Sequence, residues 1–162
     1  MRNRSVPDLL LDFNDVPPWQ QDNKYILGGY RPLSNSYSKS LRSLLYLHNQ
    51  TVNIYTHLLS FCFFVLLAYA IRDSLYGRYN TATHEDAMVF AAYFAGVFAC
   101  FSLSSAYHTF SNHSKDICEQ WLVLDFLGIL CLIAGSWVPG VYYGFYCQRT
   151  VSRFYLILVS AH

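Results

Sequence analysis

Three long apolar runs constrain the fold of this 162-residue chain more than any other feature of its sequence. They cover about residues 54–71, 87–109 and 119–138, and a fourth apolar run starts at residues 154–162. A helix rises about 1.5 Å per residue, so about 20 apolar residues are needed to cross the roughly 30 Å hydrocarbon core of a bilayer. The sequence therefore predicts an all-α membrane protein with about three complete spans and the start of a fourth.

The last two runs are expected to end for different reasons. We place the end of the third span at Pro139 and Gly140, because proline lacks the N–H group that continues a helix. Residues 154–162 would reach about 14 Å as a helix, which is less than half of the hydrocarbon core. We therefore expect the sequence to be a C-terminally truncated piece of a longer membrane protein.

The chain divides into three segments by composition. Residues 1–37 are rich in Asp, Asn, Pro and Gly, which predicts an extended N-terminal arm. Residues 38–53 carry leucines on one helical face and basic residues elsewhere, which predicts an interfacial amphipathic helix. Residues 54–162 form the predicted transmembrane domain.

Lys and Arg residues favour one orientation in the membrane. They are more frequent in the N-terminal arm than in the loops on the opposite side of the predicted spans, which favours a cytosolic N-terminus. We expect a multi-pass protein of the plasma membrane or of an endomembrane. The net charge of +1 and the lack of a basic cluster argue against nucleic acid as a partner.

Ser104, His108 and Asp125 are the candidate functional residues. Ser104 and His108 are four positions apart, so on a helix their side chains project from the same face. Asp125 lies in the next apolar run, where a carboxylate is costly and normally faces a partner inside a helical bundle. The short link between these runs predicts an antiparallel pair of helices, which places His108 and Asp125 at the cytosolic side of the membrane.

By themselves these residues leave three interpretations open: a metal site, a structural Ser-His-Asp hydrogen-bond network, or a role in transport. A catalytic Ser-His-Asp triad is disfavoured, because a helix interior offers no free N–H groups for an oxyanion hole. His57, one turn into the first span, is expected to serve in capping, interfacial hydrogen bonding or snorkelling rather than in binding a metal.

Five sequence blocks, taken together and in order, resemble the progestin and adipoQ receptor family. This family includes adiponectin receptors, fungal zinc-homeostasis membrane proteins and bacterial haemolysin III-like proteins. The blocks are PPWQQDNKYILGGYR (17–31), LHNQTVNIYTHL (47–58), SSAYHTFSNHS (104–114), LDFLGI (124–129) and PGVYYGFYC (139–147).

The resemblance implies a bundle of seven membrane helices with a zinc ion near the cytosolic leaflet. Ser104 and His108 match the family's S-x-x-x-H motif, which implies that His108 is a zinc ligand and that Ser104 supports the ligand or the substrate. Asp125 matches an aspartate that acts through a water molecule. The other two family ligands belong to an H-x-x-x-H motif on the seventh helix, which this sequence does not contain. Gln50 stands where the family pattern H-N-E-T has glutamate.

The resemblance also implies a function for the full-length protein. The expected activity is zinc-dependent hydrolysis of ceramide-like lipid amides, in which Asp125 and Ser104 take part in catalysis. The alternatives are a receptor or regulator of zinc and lipid homeostasis without enzymatic activity, and an inactive fragment. The expected partners are membrane lipids, with a ceramide-like substrate or an extracellular ligand, and an oligomer is left open.

Overall fold

Five α-helices account for most of the structure, a computed structural model that describes residues 10–78 and 81–160. They are α1 (Tyr37–Arg42), α2 (Thr51–Arg78), α3 (His84–Phe110), α4 (Lys115–Gly144) and α5 (Arg149–Ser160). Three of them are long and apolar enough to cross a bilayer, over Thr51–Ser74, His84–Phe110 and Lys115–Gly144. In the described residues the only β-structure is an isolated bridge between Leu11 and Tyr30. The prediction of an all-α membrane protein is confirmed.

The membrane helices begin a few residues before the apolar runs because polar residues cap them. At α3 the Thr83 hydroxyl accepts from the Asp86 N–H at 3.2 Å, and the Asp86 carboxylate accepts from the Thr83 N–H at 2.9 Å. This reciprocal pair satisfies donors that the first turn of a helix leaves without partners. At α2 the Thr51 hydroxyl accepts from the His48 N–H at 2.8 Å.

The predicted interfacial helix differs from the observed structure. Helix α1 ends at Arg42, a 3-10 helix covers Ser43–Leu45, and the backbone of Tyr46 is extended. The Ser43 hydroxyl donates to the Ser40 carbonyl oxygen at 2.6 Å, a local bond of the kind that competes with a continuing helix. Residues 51–53 of the predicted interfacial helix belong instead to α2.

We predicted that the third span ends at Pro139 and Gly140, and this prediction is wrong. Helix α4 continues through Pro139 to Gly144. Proline removes one N–H from the helix and leaves the carbonyl group of the residue four positions earlier, Gly135, without its usual partner. Membrane helices tolerate such a residue where the freed backbone groups find other partners.

The connections on either side of α4 are shorter than predicted. Only residues 111–114 link α3 to α4, where the sequence suggested about ten residues. The fourth apolar run was predicted to start at 154, but α5 begins at Arg149, and the Ser152 N–H donates to the Gln148 carbonyl oxygen at 3.0 Å. The last two residues of that run, 161 and 162, and residues 1–9 of the arm lie outside the described residues.

The described chain forms two compact units. The first contains the segment up to Leu58 together with Leu103–Asp125, and the second contains Leu59–Ser102 together with the segment that starts at Phe126. Every candidate residue named above belongs to the first unit.

Within the second unit, glycines bring the backbones of α3 and α4 together. A Cβ atom added to Gly96 would lie 2.5 Å from the Cys131 carbonyl oxygen, and one added to Gly135 would lie 2.7 Å from the Ala92 carbonyl oxygen. Real Cβ atoms do not approach backbone atoms so closely. Small residues at such positions let membrane helices pack at short distance without a hydrophobic driving force.

Candidate functional site

His108 lies in the last turn of α3 and is half-buried. Its Nδ1 atom is 2.9 Å from Oε1 of Gln50, the residue directly before α2. Asn53, in the first turn of α2, donates a hydrogen bond from Nδ2 to the same Oε1 atom, also at 2.9 Å. The imidazole is therefore fixed by a polar contact with a residue 58 positions earlier in the chain.

A second histidine lies beside His108. The ring of His57, in α2, is half-buried, and its centroid is 5.9 Å from that of His108, with an interplanar angle of 85°. Sequence reasoning gave His57 only an interfacial role. The structure adds that its ring lies beside that of the main candidate ligand.

Asp125 lies in α4 and is half-buried. Its carboxylate is close enough for its charge to act on both His108 and Tyr107. Within the described part of the chain, no hydrogen bond or ion pair occupies this carboxylate. Asp125 is therefore available to a water molecule or a ligand near His108.

Ser104 lies one helical turn before His108 on the same face of α3 and is only 3% exposed. The nearby Ser105 and Thr109 are also buried, and the Thr109 hydroxyl donates to the Ser105 carbonyl oxygen at 2.7 Å. The turn of α3 that precedes His108 is therefore buried and polar rather than an open surface.

Arg31 fixes the end of α3 that carries His108. Its side chain is 2% exposed, and Nη2 donates to the His108 carbonyl oxygen at 2.6 Å and to the Ser111 hydroxyl at 3.0 Å. Nη1 donates to the Thr109 carbonyl oxygen at 2.9 Å and to the Ser43 hydroxyl at 2.8 Å. The last carbonyl groups of a helix lack intrahelical partners and carry partial negative charge, so a cation is favoured there. Burial lowers the pKa of Arg31 to about 10, which leaves it charged at neutral pH.

A second polar cluster ties the N-terminal arm to the loop after α3. The Asn112 side chain is 4% exposed, accepts from the Ser40 hydroxyl at 2.9 Å and donates to the Pro32 carbonyl oxygen at 3.0 Å. The Asn112 backbone carbonyl accepts from the Ser34 N–H at 2.9 Å. These contacts and those of Arg31 hold the arm against the end of α3.

A cavity of about 50 Å³ lies between the arm and the helices, and Arg31, Gln50 and Tyr107 are among its lining residues. Gln20 also lines it, and the buried Oε1 atom of Gln20 has no hydrogen-bond partner among the described residues. A polar cavity of this size has room for a few water molecules.

His48 is a buried histidine that stays neutral. It is 9% exposed, its Nδ1 atom accepts from the Gln50 N–H at 3.1 Å, and its buried Nε2 atom has no hydrogen-bond partner among the described residues. Burial is the main cause that lowers the pKa of His48 from 6.5 to about 4, and the positive charge of Arg31 lowers it further.

This low pKa predicts a loss of stability in mild acid. The unfolded chain takes up a proton near pH 6.5, whereas the folded protein resists protonation down to about pH 4. The contribution of neutral His48 to the free energy of unfolding is therefore fully present above pH 6.5. The free energy of unfolding should fall by up to about 3 kcal/mol as the pH is lowered to 4. Thermal unfolding in detergent micelles at pH 7 and pH 4.5, for the unaltered protein and His48→Asn, measures this. Equal acid sensitivity of the two proteins would contradict the prediction.

The structure thus brings His108, Asp125 and His57 into one region, while Ser104 lies buried one turn away. Within residues 10–78 and 81–160, no group of three His, Cys, Asp or Glu side chains is placed to hold a metal ion together. From the sequence, Gln50 was noted only as a departure from the family pattern, and neither Gln50 nor Arg31 was assigned to this site. Both residues lie in the blocks that resemble the receptor family.

Comparisons with known proteins identify related sequences. The family model "Haemolysin-III related" matches residues 45–162. The chain is 40% identical to the ADIPOR-like receptor IZH2 of Saccharomyces cerevisiae and 38% identical to progestin and adipoQ receptor-like protein 1 of Caenorhabditis elegans. Both alignments extend over 153 residues, or 93% of this chain. It is 39% identical over 150 residues, or 91% of this chain, to the adiponectin receptor protein of Drosophila melanogaster.

These alignments cover 48% of the yeast protein, 34% of the nematode protein and 33% of the fly protein, so the chain spans between a third and a half of these relatives. They confirm the resemblance inferred from the five sequence blocks. With three helices able to cross a bilayer and a family match over residues 45–162, this multi-pass membrane chain belongs to the haemolysin-III-related family of progestin and adipoQ receptor-like proteins.

Proposed function

We propose that this chain forms part of a zinc-dependent membrane hydrolase that cleaves ceramide-like lipid amides. In this proposal His108 is a zinc ligand and Asp125 is the catalytic carboxylate. The observation that carries the proposal is the position of Asp125: its charge acts on His108, and no described residue occupies its carboxylate by a hydrogen bond or an ion pair.

The residues of this region fit a zinc site in part. Zinc prefers imidazole nitrogen and carboxylate oxygen ligands, and this region holds both, since the charge of Asp125 acts on His108. The edge-to-face arrangement of His57 and His108 leaves a second imidazole next to the first. A catalytic zinc ion normally takes three protein ligands, so the proposal requires further ligands beyond His108, and it takes them to lie on a later helix, as the family resemblance implies.

Each residue of the candidate site has a separate task in the proposed reaction. Zinc, when bound, supplies Lewis acidity that polarises the amide carbonyl and makes water a better nucleophile. Asp125 orients the attacking water and takes its proton on a carboxylate oxygen. His108 would bind the zinc ion, and Arg31 and Gln50 hold His108 in place. Because Ser104 is buried, we assign it to support of the α3 face behind His108 rather than to contact with substrate.

The proposal includes an orientation and a set of partners. The excess of Lys and Arg in the N-terminal arm supports a cytosolic N-terminus in the plasma membrane or an endomembrane, with the site near the cytosolic leaflet. A lipid amide can reach such a site from within the bilayer, so membrane lipids are the proposed partners and the source of substrate.

A second candidate is a receptor in which zinc has only a structural role. The names of the yeast and fly relatives, an ADIPOR-like receptor and an adiponectin receptor, favour it. Both candidates bind metal, so metal content does not distinguish them. Turnover of a lipid amide does distinguish the hydrolase from the receptor, because a structural zinc site has no need for a carboxylate that activates water.

The test is removal and return of the metal. The protein, expressed with any further helices that its gene encodes, is purified into lipid nanodiscs and incubated with a fluorescent ceramide. We expect a chelator to abolish release of the fatty acid, and stoichiometric zinc to restore it. Nanodiscs without protein measure the background. Absence of release by the zinc-loaded protein, or release that persists after the metal has been removed, would overturn the proposal.

A further inference from the structure

The hydrogen bond between Gln50 and His108 determines which nitrogen of His108 carries the proton. The carboxamide oxygen of Gln50 can only accept, so the Nδ1 atom of His108, 2.9 Å away, must be the donor. In a neutral imidazole only one nitrogen carries hydrogen. The lone pair of His108 is therefore on Nε2.

Two further contacts fix the orientation of Gln50. Asn53 donates from Nδ2 to the same Gln50 Oε1 atom at 2.9 Å, so this oxygen accepts from the side chains of both Asn53 and His108. The backbone N–H of Gln50 donates to Nδ1 of His48 at 3.1 Å. Gln50 is thus held through both its backbone and its side chain.

We propose that Gln50 is a positioning residue for His108. Its carboxamide oxygen holds the ring in the Nδ1–H tautomer and presents the Nε2 lone pair to the metal ion. This inference rests on the zinc site of the proposed function. In metal sites the hydrogen bond at one ring nitrogen sets which nitrogen binds, and loss of such a partner typically lowers metal affinity about 10–100-fold.

Gln50 stands where the family pattern has glutamate, so this chain uses a neutral acceptor for the task. A carboxylate in this place would accept from Nδ1 in the same way and would raise the basicity of the ligand further. Gln50→Glu should therefore keep the tautomer, whereas Gln50→Leu, which has a similar shape and no acceptor, should lose it.

The first measurement needs no metal. The zinc-free protein is labelled with ¹⁵N-histidine and studied by NMR in nanodiscs at about pH 8, where an ordinary histidine is neutral. The His108 signal is assigned by its loss in His108→Ala. We expect the Nδ1–H tautomer in the unaltered protein and in Gln50→Glu. We expect a shift towards the Nε2–H tautomer in Gln50→Leu. Gln120→Leu, at an exposed position of α4, serves as the matched control.

The second measurement is zinc affinity by competition with a chelator. We expect Gln50→Leu to bind zinc about 10–100-fold more weakly and Gln50→Glu and Gln120→Leu to bind at least as tightly as the unaltered protein. An Nε2–H tautomer of His108 in the unaltered protein overturns the inference, whatever zinc affinities are measured. The inference also fails if Gln50→Leu changes the tautomer but not the affinity. If the tautomer depends on Gln50 but no form of the protein binds zinc, the proposed function fails and the hydrogen-bond assignment stands.

Discussion

Replacing Asp125 with asparagine should lower turnover of a ceramide-like substrate by at least about 100-fold while zinc remains bound. The amide has nearly the same shape as the carboxylate, but it cannot take a proton from water at neutral pH. Proton transfer by a positioned side chain typically contributes about 10²–10⁴-fold to a rate. Turnover at saturating substrate and zinc content per protein, measured in the same nanodisc preparation, give the result.

Asp116→Asn is the matched control for this experiment. Asp116 lies in the first turn of the same helix and is exposed, so the control makes the same change of charge away from His108. We expect the Asp116 variant to turn over substrate at the rate of the unaltered protein. If Asp125→Asn and Asp116→Asn are equally active, Asp125 is not the catalytic carboxylate, and the structural-zinc receptor becomes the better explanation.

The second large effect is expected at Arg31. Replacing it with methionine, which has a similar length and no charge, removes four hydrogen bonds to the end of α3 and to Ser43. Hydrogen bonds from a charged group each contribute about 1.5–3 kcal/mol, and buried acceptors without partners add a further cost. Because such contributions are not additive, we expect a loss of about 3–5 kcal/mol in the free energy of unfolding. Denaturant unfolding in micelles, followed by tryptophan fluorescence, measures it.

Two variants test the explanation as well as the size of the effect. Arg31→Lys keeps the charge, but an ammonium group cannot reach acceptors on both sides as the guanidinium does, so its stability should be intermediate. Arg42→Met removes an exposed arginine from the end of α1 and should change stability by less than about 0.5 kcal/mol. If Arg31→Met proves as stable as Arg42→Met, the hydrogen bonds of Arg31 do not hold the arm to α3.

The membrane spans could be predicted because their signal is local. An apolar run of about 20 residues identifies a helix without any knowledge of its neighbours. The ends could not be predicted as well, since capping depends on single polar residues such as Thr83 and Asp86, which lie outside the apolar run. Pro139 was misjudged because a rule for soluble helices was applied to a helix within a span.

The candidate site was only partly predictable for a different physical reason. His108 and Asp125 stand out because ionisable residues are rare inside apolar runs. Arg31 lies in a polar arm, where an arginine normally remains in water, and its contacts with α3 and with Ser111 just after it span 77 to 80 positions of the chain. Nothing local distinguishes such a residue from the other basic residues of the arm. Gln50 is a similar case, because its partner His108 lies 58 positions away.

The close backbone contact at Gly96 and Gly135 bears on how such a protein is assembled during synthesis. Backbone atoms of α3 and α4 make this contact, and only residues 111–114 link the two helices, so both sides of the contact are complete once α4 has been made. We therefore expect the two helices to associate as a hairpin as soon as both have entered the membrane, so that later segments meet a surface that is already in place.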